Sequence, residues 1–292
     1  MITILTPTYN RKAYLKNLYE SLVNQTNNNF QWLIIDDGSC DNTKEVVENF
    51  NNKNFRIDYY YKENGGKHTA LNYSHQYIKG DWTFVVDSDD ILTENAIALV
   101  YEYIEKYGKR KDISSFAFLK SDYSGSVLAP QLYKNDYISN VIDYRVNSNV
   151  KGDQAEVYRT EIFKRFKFPV FEGEKFLGED YLHINAAYIA STVYINKVIY
   201  LADYRDDGLT KAGRKMRIRN PLGGMVHGSL YFSKRFKIKY RVKGMILYIC
   251  YGLFAKKSLT ELFRNCNEYK LLFLLSCPIA FVLNKFWRWK YL

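Results

Sequence analysis

Short apolar runs alternate with amphipathic segments along the first part of the chain. Four of these runs have the length and composition of buried strands and lie at residues 2–6, 31–35, 56–61 and 82–86. Apolar residues at helical spacing occupy the intervening segments, at residues 11–24, 42–50 and 68–79. We expect Asn10 and Asp41 to cap the first two helices. Strands and helices in this order predict βαβ units, and therefore a parallel sheet with helices on both faces.

The pattern is less regular after the fourth strand. Residues 95–106 are predicted to form a helix, residues 112–200 are mixed and include antiparallel strands, and a helix is expected from near Glu179 to about residue 190. The composition changes after residue 204. We therefore expect an α/β domain over residues 1–215, with halves of about 1–110 and 111–215, and a helical extension over 216–292.

Basic residues are concentrated in the C-terminal third. The 292-residue chain has a formal net charge of +11, and residues 205–292 hold 19 Lys and Arg against 4 Asp and Glu. Two apolar stretches, 244–254 and 271–283, lie among them. Both are shorter than the roughly 20 residues of a spanning helix, and Pro278 is expected to kink or break the second. This combination favours a segment in the membrane interface, with an ordinary helical subdomain as the alternative.

Several other classes of protein and site are disfavoured. The four cysteines form no CxxC pair and no Cys/His cluster, which argues against zinc and favours reduced thiols in a cytosolic compartment. The first residues lack a basic n-region and enter a strand directly, so no signal peptide is predicted. A basic, aromatic-rich chain could bind nucleic acid, and this remains the alternative function, but no recognised nucleic-acid motif is present.

Three carboxylates meet at the end of the fourth predicted strand, in the run FVVDSDD. Asp87, Asp89 and Asp90 follow an apolar stretch directly. Carboxylates this close repel one another, and burial raises the cost of their charge. Mg²⁺ or Mn²⁺ would relieve both effects, because these cations take oxygen ligands and bind substrate phosphates through one or two protein carboxylates. Asp87 and Asp89 are therefore candidate metal ligands, and a solvated loop is the alternative.

Polar residues also follow the other predicted strands. The run WLIIDDGS places Asp36 and Asp37 where a carboxylate can accept a hydrogen bond from a base or a ribose, although a capped turn is the simpler interpretation. The run NGGKHTALN places Lys67 after two glycines, near base or phosphate oxygens or in a flexible surface turn. Ligands of open α/β sheets bind outside the carboxyl ends of the strands. We therefore expect these residues to converge with Thr6 and Thr8 on one edge.

Together these motifs resemble the family 2 glycosyltransferases, which are inverting enzymes with the GT-A fold, a Rossmann-like, mostly parallel sheet flanked by helices. The matching stretches are ILTPTYNRKAYL, WLIIDDGSCDNT, ENGGKHTALN, FVVDSDD and LGEDY. The resemblance covers about residues 1–215. It implies that this domain is catalytic, with a nucleotide-sugar half followed by an acceptor half.

The resemblance also implies an activity. A sugar would pass from a UDP-sugar, with Mn²⁺ or Mg²⁺, to a glycan or an undecaprenyl-diphosphate-linked acceptor during surface polysaccharide or cell-wall glycan biosynthesis. The enzyme would be cytoplasmic and peripheral on the inner face of the cell membrane, with its basic extension on anionic lipid.

Individual roles follow from the same resemblance. Asp180 would be the general base and Glu179 would orient or tune it, whereas the residues alone favour an acid pair at a helix N-terminus. Asp37 or Asp36 would hold the uracil, with Lys67 beside it. The residues implied to bind the nucleotide sugar are Thr6, Pro7, Thr8, Tyr9, Asp36, Asp37, Lys67, Asp87, Ser88, Thr210, Lys211 and Arg214, and the implied metal ligands are Asp87 and Asp89. His183 is expected to pack or to face the acceptor rather than to bind metal.

Overall fold

The four strands predicted at the start of the chain form the parallel half of a mixed sheet. The computed structural model describes residues 1–132, 134–202 and 209–292, with side chains described outside 209–212. The strands are β1 (Ile2–Thr8), β2 (Phe30–Asp36), β3 (Arg56–Tyr61) and β4 (Trp82–Val85). β1 pairs in parallel with both β2 and β4, and β2 pairs in parallel with β3. The predicted parallel arrangement is confirmed for this half.

Antiparallel strands extend the sheet, as the mixed pattern after residue 112 predicts. They are β5 (Ile91–Leu92), β6 (Ile113–Ser121), β7 (Tyr137–Ser139), β8 (Gln154–Arg159) and β9 (Ser191–Leu201). β8 runs antiparallel between β4 and β6, whereas β6 and β9 are parallel. The strand order is β3-β2-β1-β4-β8-β6-β9-β5, with β7 paired to β9. One sheet therefore joins the two predicted halves of the α/β domain.

Helices cover both faces of the parallel half. They are α1 (Lys12–Val23), α2 (Thr43–Glu48), α3 (Lys67–Ser74) and α4 (Ala96–Tyr107). Side chains alternate along β1, so Ile4 joins the apolar cluster that holds α1, while Leu5 joins the cluster that holds α3. Each such fully buried aliphatic side chain contributes about 1.5–3 kcal/mol. Burial on both faces fixes the register of β1 and hence the position of its polar C-terminal end.

Two expected helix caps are corrected. Arg11 rather than Asn10 occupies the N-cap position of α1, and Asn42 rather than Asp41 occupies that of α2. The Asn10 side chain instead accepts a hydrogen bond from the backbone amide of Cys40 at 2.8 Å. Asp41 accepts one from a backbone amide at the start of α1, at 3.1 Å. These side chains tie the two neighbouring loops together, while Asp41 also accepts a hydrogen bond from the hydroxyl of Thr43 at the start of α2.

Helices make up most of the remaining chain. They are α5 (Thr160–Arg165), α6 (Asp180–Ala186), α7 (Leu209–Arg219), α8 (Pro221–Ser229), α9 (Ile238–Phe254), α10 (Leu259–Arg264) and α11 (Lys270–Tyr291). A π-helical turn, Val141–Asn147, precedes β8. The helix predicted from Glu179 therefore begins one residue later and ends before residue 190. Close packing of α8 on α9 depends on Gly228, where a Cβ would lie 2.6 Å from the backbone nitrogen of Tyr248.

The expectation that Pro278 interrupts the second apolar stretch is wrong. α11 continues through Pro278 for 22 residues. Proline removes one backbone hydrogen bond, to the residue four positions earlier, and that residue, Leu274, is exposed. With the preceding turn, Asn267–Tyr291 is 25 residues long. Among the described residues it is the one helix whose length and composition would allow it to cross a membrane. The expectation that the apolar stretch 271–283 is too short to span is therefore corrected.

Candidate functional site

A lysine ammonium lies between two of the predicted site carboxylates. Lys67 Nζ is 2.5 Å from Asp87 Oδ1 and 2.5 Å from Glu179 Oε1. Lys67 opens α3, Asp87 follows β4, and Glu179 precedes α6, so three segments that are distant in sequence meet here. The side chains are 25%, 37% and 36% exposed, respectively. We call these three residues the Lys67 bridge, and they remain accessible to a ligand.

The attraction between Lys67 and its neighbouring carboxylates shifts the pKa values of Lys67 and Asp87. Burial acts to lower the pKa of Lys67, but the carboxylates of Asp87 and Glu179 outweigh it and raise that pKa above its usual value. Burial acts to raise the pKa of Asp87, but the ammonium of Lys67, helped by Lys120, lowers it below its usual value. Asp87 is therefore ionised at neutral pH, as a cation ligand must be.

The third acid of the DSDD run has a structural role. The Tyr200 hydroxyl donates to Asp90 Oδ2 at 2.7 Å and accepts from the backbone amide of Asp87 at 3.0 Å. Burial, followed by the nearby Asp87 charge, raises the pKa of Asp90 to about 7. Asp90 thus holds the turn from its buried side. Ser88 is also buried, whereas Asp87 and Asp89 are half-buried at the sheet edge.

The described residues contain no cluster of three or more His, Cys, Asp or Glu side chains arranged to hold a metal ion. Asp87 and Asp89 are half-buried and offer carboxylate oxygen donors. Two carboxylates with room for substrate oxygens match the way Mg²⁺ binds beside nucleotide phosphates. The donor set therefore fits a hard divalent cation that arrives with a diphosphate.

Asp37 organises the loop that leads to the Lys67 bridge. Its Oδ1 accepts from Lys62 Nζ at 2.6 Å and from the Gly65 amide at 3.0 Å, and its Oδ2 accepts from the Gly66 amide at 2.7 Å. Lys62 is thus the cation that pairs with Asp37, whereas Lys67 pairs with Asp87 and Glu179. Our sequence reasoning missed Lys62, although it follows β3 directly and so lies at the same sheet edge.

Asp36 and Thr6 make contacts inside the fold. The buried Asp36 carboxylate accepts from the Ser39 amide at 2.7 Å and from the Tyr59 hydroxyl at 2.6 Å. Thr6 is fully buried, and its hydroxyl accepts from the Trp32 indole at 3.0 Å. The Thr6 side chain therefore points to the α1 face of the sheet, because Trp32 belongs to the apolar cluster that holds α1.

The end of β1 keeps polar and aromatic groups available. Thr8 Oγ1 is buried and has no hydrogen-bond partner among the described residues. Pro7 is buried between the two threonines, whereas Tyr9 is 48% exposed. An unpaired buried hydroxyl costs free energy unless a ligand or water satisfies it. Thr8 therefore marks a position where a bound molecule would gain a hydrogen bond.

Asp180 is the first residue of α6 and is 47% exposed. Its Oδ2 lies 3.4 Å from Nδ1 of His227, a residue of α8 that our sequence reasoning missed. His183 hydrogen-bonds the Tyr158 hydroxyl and is packed, in line with the expectation. Asp180 and Glu179 thus have different partners: Glu179 pairs with Lys67, while Asp180 faces a histidine.

The expected phosphate donors after residue 204 receive less support. The Arg214 guanidinium donates to the Tyr251 hydroxyl at 2.7 Å and lies over the Trp287 ring at 4.2 Å. It is therefore directed toward the C-terminal helices, because their aromatic side chains offer it a stacking surface. Thr210 and Lys211 lie outside the residues whose side chains are described.

Residues 3–165 match the family model described as glycosyl transferase family 2. The chain belongs to this family. The glycosyltransferase GlyG of Streptococcus pneumoniae is 27% identical over 225 residues, which cover 72% of this chain and 73% of GlyG. GlyA of the same species is 25% identical over 224 residues, which cover 72% of this chain but only 31% of GlyA. The chain thus corresponds to about a third of GlyA.

A solved structure shows that this family 2 glycosyltransferase has the GT-A fold. Residues 1–349 of TarS from S. aureus, in complex with UDP-GlcNAc, superpose with a TM-score of 0.63 at 16% identity. The match covers 99% of this chain and 92% of the TarS chain. The predicted fold class is confirmed.

The glycosyltransferase site depends on the backbone of Gly66. This residue has φ +92°, and a Cβ there would lie 1.9 Å from the Lys175 carbonyl oxygen. We expect Gly66→Ala to lower the free energy of unfolding by about 2–4 kcal/mol, because positive φ and overpacking each add a cost. Urea denaturation measures the change. Gly125→Ala is the matched control, since φ is +90° with no atom within 4 Å, and should cost about 1–2 kcal/mol. Equal losses would contradict the steric argument.

Proposed function

We propose that this glycosyltransferase is an inverting enzyme that moves a sugar from a UDP-sugar to a glycan or lipid-linked glycan acceptor in surface polysaccharide or cell-wall glycan biosynthesis. The observation that carries the proposal is the Lys67 bridge with Asp180 adjacent to it. It joins a candidate cation site to a half-exposed carboxylate whose described contact is His227. Residues 1–215 would form the catalytic domain and 216–292 its helical extension.

The donor proposal draws on the end of β1 and the Asp37 loop. TarS binds UDP-GlcNAc, and its fold matches this chain almost end to end. The Thr8 hydroxyl has no hydrogen-bond partner among the described residues and the Tyr9 ring is exposed, so both are available to a nucleotide. Asp36 and Asp37 would hold the loop that surrounds the uracil, since the Asp37 carboxylate accepts hydrogen bonds from Lys62 and from the backbone amides of Gly65 and Gly66. A UDP-sugar is therefore the proposed donor.

Asp87 and Asp89 would hold Mn²⁺ or Mg²⁺. When bound, such an ion offsets the negative charge that develops on a departing diphosphate. Lys67 supplies fixed positive charge at the same place, 2.5 Å from Asp87. The chain's own contribution is therefore preorganised charge, which does not have to be arranged during the reaction.

Asp180 is the proposed base. In single displacement, the acceptor oxygen forms a bond to the anomeric carbon while the bond from that carbon to the phosphate oxygen breaks. The electron pair of the broken bond leaves with UDP, and the acceptor hydroxyl proton passes to Asp180. Among the described groups Asp180 contacts only a histidine, whereas Glu179 is held by Lys67. Glu179 would keep Lys67 in place and so position its neighbour.

The base assignment predicts a separation of chemistry from binding. Asp180→Asn should reduce transfer by about 10²–10⁴-fold, because an amide cannot take the proton, and should leave UDP affinity unchanged. UDP release from a panel of UDP-sugars, with membranes of the source organism as acceptor, measures transfer, and calorimetry measures UDP affinity. Glu161→Gln is the control, since it removes an exposed acid from the first turn of α5. Equal loss of transfer and UDP affinity would refute the assignment.

The C-terminal helices support a membrane-bound location. α11 packs a buried face against α9 and leaves a continuous apolar face in solvent. We call this exposed set the α11 face: Leu271, Leu274, Leu275, Ile279, Phe281, Val282, Phe286 and Trp289. Residues 205–292 carry a positive excess of 15 charges, and α11 itself holds Lys270, Lys285, Arg288 and Lys290. An apolar face bordered by Lys and Arg is typical of helices that lie on anionic lipid. We propose peripheral attachment to the inner face of the cell membrane.

Replacing apolar side chains on the α11 face with acids should release the protein from membranes. Leu275 and Val282 are 68% and 70% exposed. We expect Leu275→Glu with Val282→Glu to weaken sedimentation with phosphatidylglycerol vesicles by at least about tenfold, through lost apolar burial and added repulsion. Val170→Glu is the control, because Val170 is 60% exposed outside this face. Unchanged vesicle binding, or a changed oligomeric state instead, would contradict the proposal.

A further inference from the structure

A small cavity lies next to the proposed base. Its volume is about 90 Å³, and it opens between the π-helical turn, α8 and α9. Its lining includes Val146, His227, Tyr231, Tyr240, Lys243 and Leu247. The volume exceeds the roughly 30 Å³ that one water takes in the liquid, so a larger chemical group fits. Most of this lining comes from residues after 215, outside the proposed catalytic domain.

His227 joins this cavity to the reaction centre. The imidazole lines the cavity on one side and approaches Asp180 at 3.4 Å on the other. The cavity is therefore one imidazole ring away from the carboxylate that would take the acceptor proton. A molecule that offers a hydroxyl to Asp180 can place a second group in the cavity.

Positive charge dominates the surroundings of the cavity. Burial lowers the pKa of His227, Asp180 opposes this, and Arg217, Lys243 and Arg214 lower it further. Lys243 and Arg217 have no carboxylate partner among the described residues, whereas Arg214 is bound to Tyr251. Lys243 lines the cavity and the Arg217 charge acts on His227 beside it, so these cations, which lack a described carboxylate partner, favour an anionic occupant.

The walls offer both a free donor and aromatic faces. Tyr240 Oη is buried and has no hydrogen-bond partner in the described part of the chain. The Tyr231 ring packs edge-on against His227 at 5.4 Å between centroids. Buried hydroxyls are normally paired, so Tyr240 marks a position where a ligand oxygen would complete a hydrogen bond. Apolar ring walls beside cations suit a sugar that carries a phosphate.

We propose that this cavity binds a phosphate group of the acceptor, with Lys243 and Tyr240 as its ligands and Arg217 adding charge. The inference rests on the proposed function, because it places the acceptor hydroxyl at Asp180. It assigns α8 and α9 a part in acceptor recognition in addition to their packing role. The phosphate could belong to a lipid headgroup or to a soluble phosphoglycan.

Calorimetric titration with glucose 1-phosphate tests the site in the full chain. Saturating UDP is included so that the nucleotide site is occupied. We expect saturable binding by the wild type, and at least about tenfold weaker binding by Lys243→Gln and by Tyr240→Phe, because each loses a donor to a charged group. Lys256→Gln is the matched control: it removes the same charge just after α9 and should bind as the wild type does. Methyl glucoside, which lacks the phosphate, should bind at least about tenfold more weakly than glucose 1-phosphate.

Several results would overturn the proposal. Equal binding of glucose 1-phosphate by wild type and both variants would show that the cavity does not take phosphate. Equal affinity for methyl glucoside would show that the anion is not recognised. The UDP affinity of each variant serves as the folding control. Tyr240→Phe keeps the aromatic ring and therefore tests the site even if Lys243→Gln disturbs the packing.

A second arm distinguishes the source of the phosphate. Phosphatidylcholine vesicles that contain a polyprenyl phosphate should displace glucose 1-phosphate from the wild type if the acceptor is lipid-linked. Retained glucose 1-phosphate binding in their presence would support a soluble phosphoglycan. The titration does not require turnover. Failure of the proposed transferase activity would therefore be seen separately: the wild type would release no UDP but would still bind glucose 1-phosphate.

Discussion

The attraction of one ammonium for two carboxylates holds the site together. Lys67 contacts Asp87 and Glu179 at 2.5 Å each, and these residues come from the start of α3, the end of β4 and the start of α6. Without the cation, two carboxylates would face each other in a partly buried place, where repulsion is weakly screened. The ammonium removes that cost and does not engage Asp180, which instead lies 3.4 Å from His227. The positions of the candidate metal ligand and of the candidate base therefore depend on the same lysine.

The rest of the fold supplies the rigid frame for this contact. Parallel pairing brings the ends of β1, β2 and β4 to one edge, and Gly66 lets the chain turn there with φ +92°. The loop before α6 is held from the other side, since the Glu174 carboxylate accepts hydrogen bonds from the backbone amides of Leu222 and Gly223 at 2.7 and 2.8 Å. The C-terminal helices are thus anchored to the segment that carries Glu179 and Asp180.

The sequence predicted the features that depend on local pattern, and it missed those that depend on packing between distant segments. The four parallel strands follow from apolar runs and were placed within two residues at each end. Three contacts depend on which segments meet across the fold. They are the ion pairs of Lys67, the pairing of Lys62 with Asp37 and the stacking of Arg214 on Trp287. His227 was missed because nothing in its own neighbourhood points to a carboxylate over forty residues earlier.

The central claim is that the acidic edge binds a cation together with the diphosphate of a nucleotide sugar. The most direct measurement is the affinity of the wild type and of Asp89→Asn for UDP, with and without Mn²⁺. The account predicts that Mn²⁺ raises UDP affinity by at least about tenfold in the wild type, since a bridged diphosphate gains charge-assisted contacts, and that Asp89→Asn loses this increase. The same UDP affinity in the presence and absence of Mn²⁺ would contradict it.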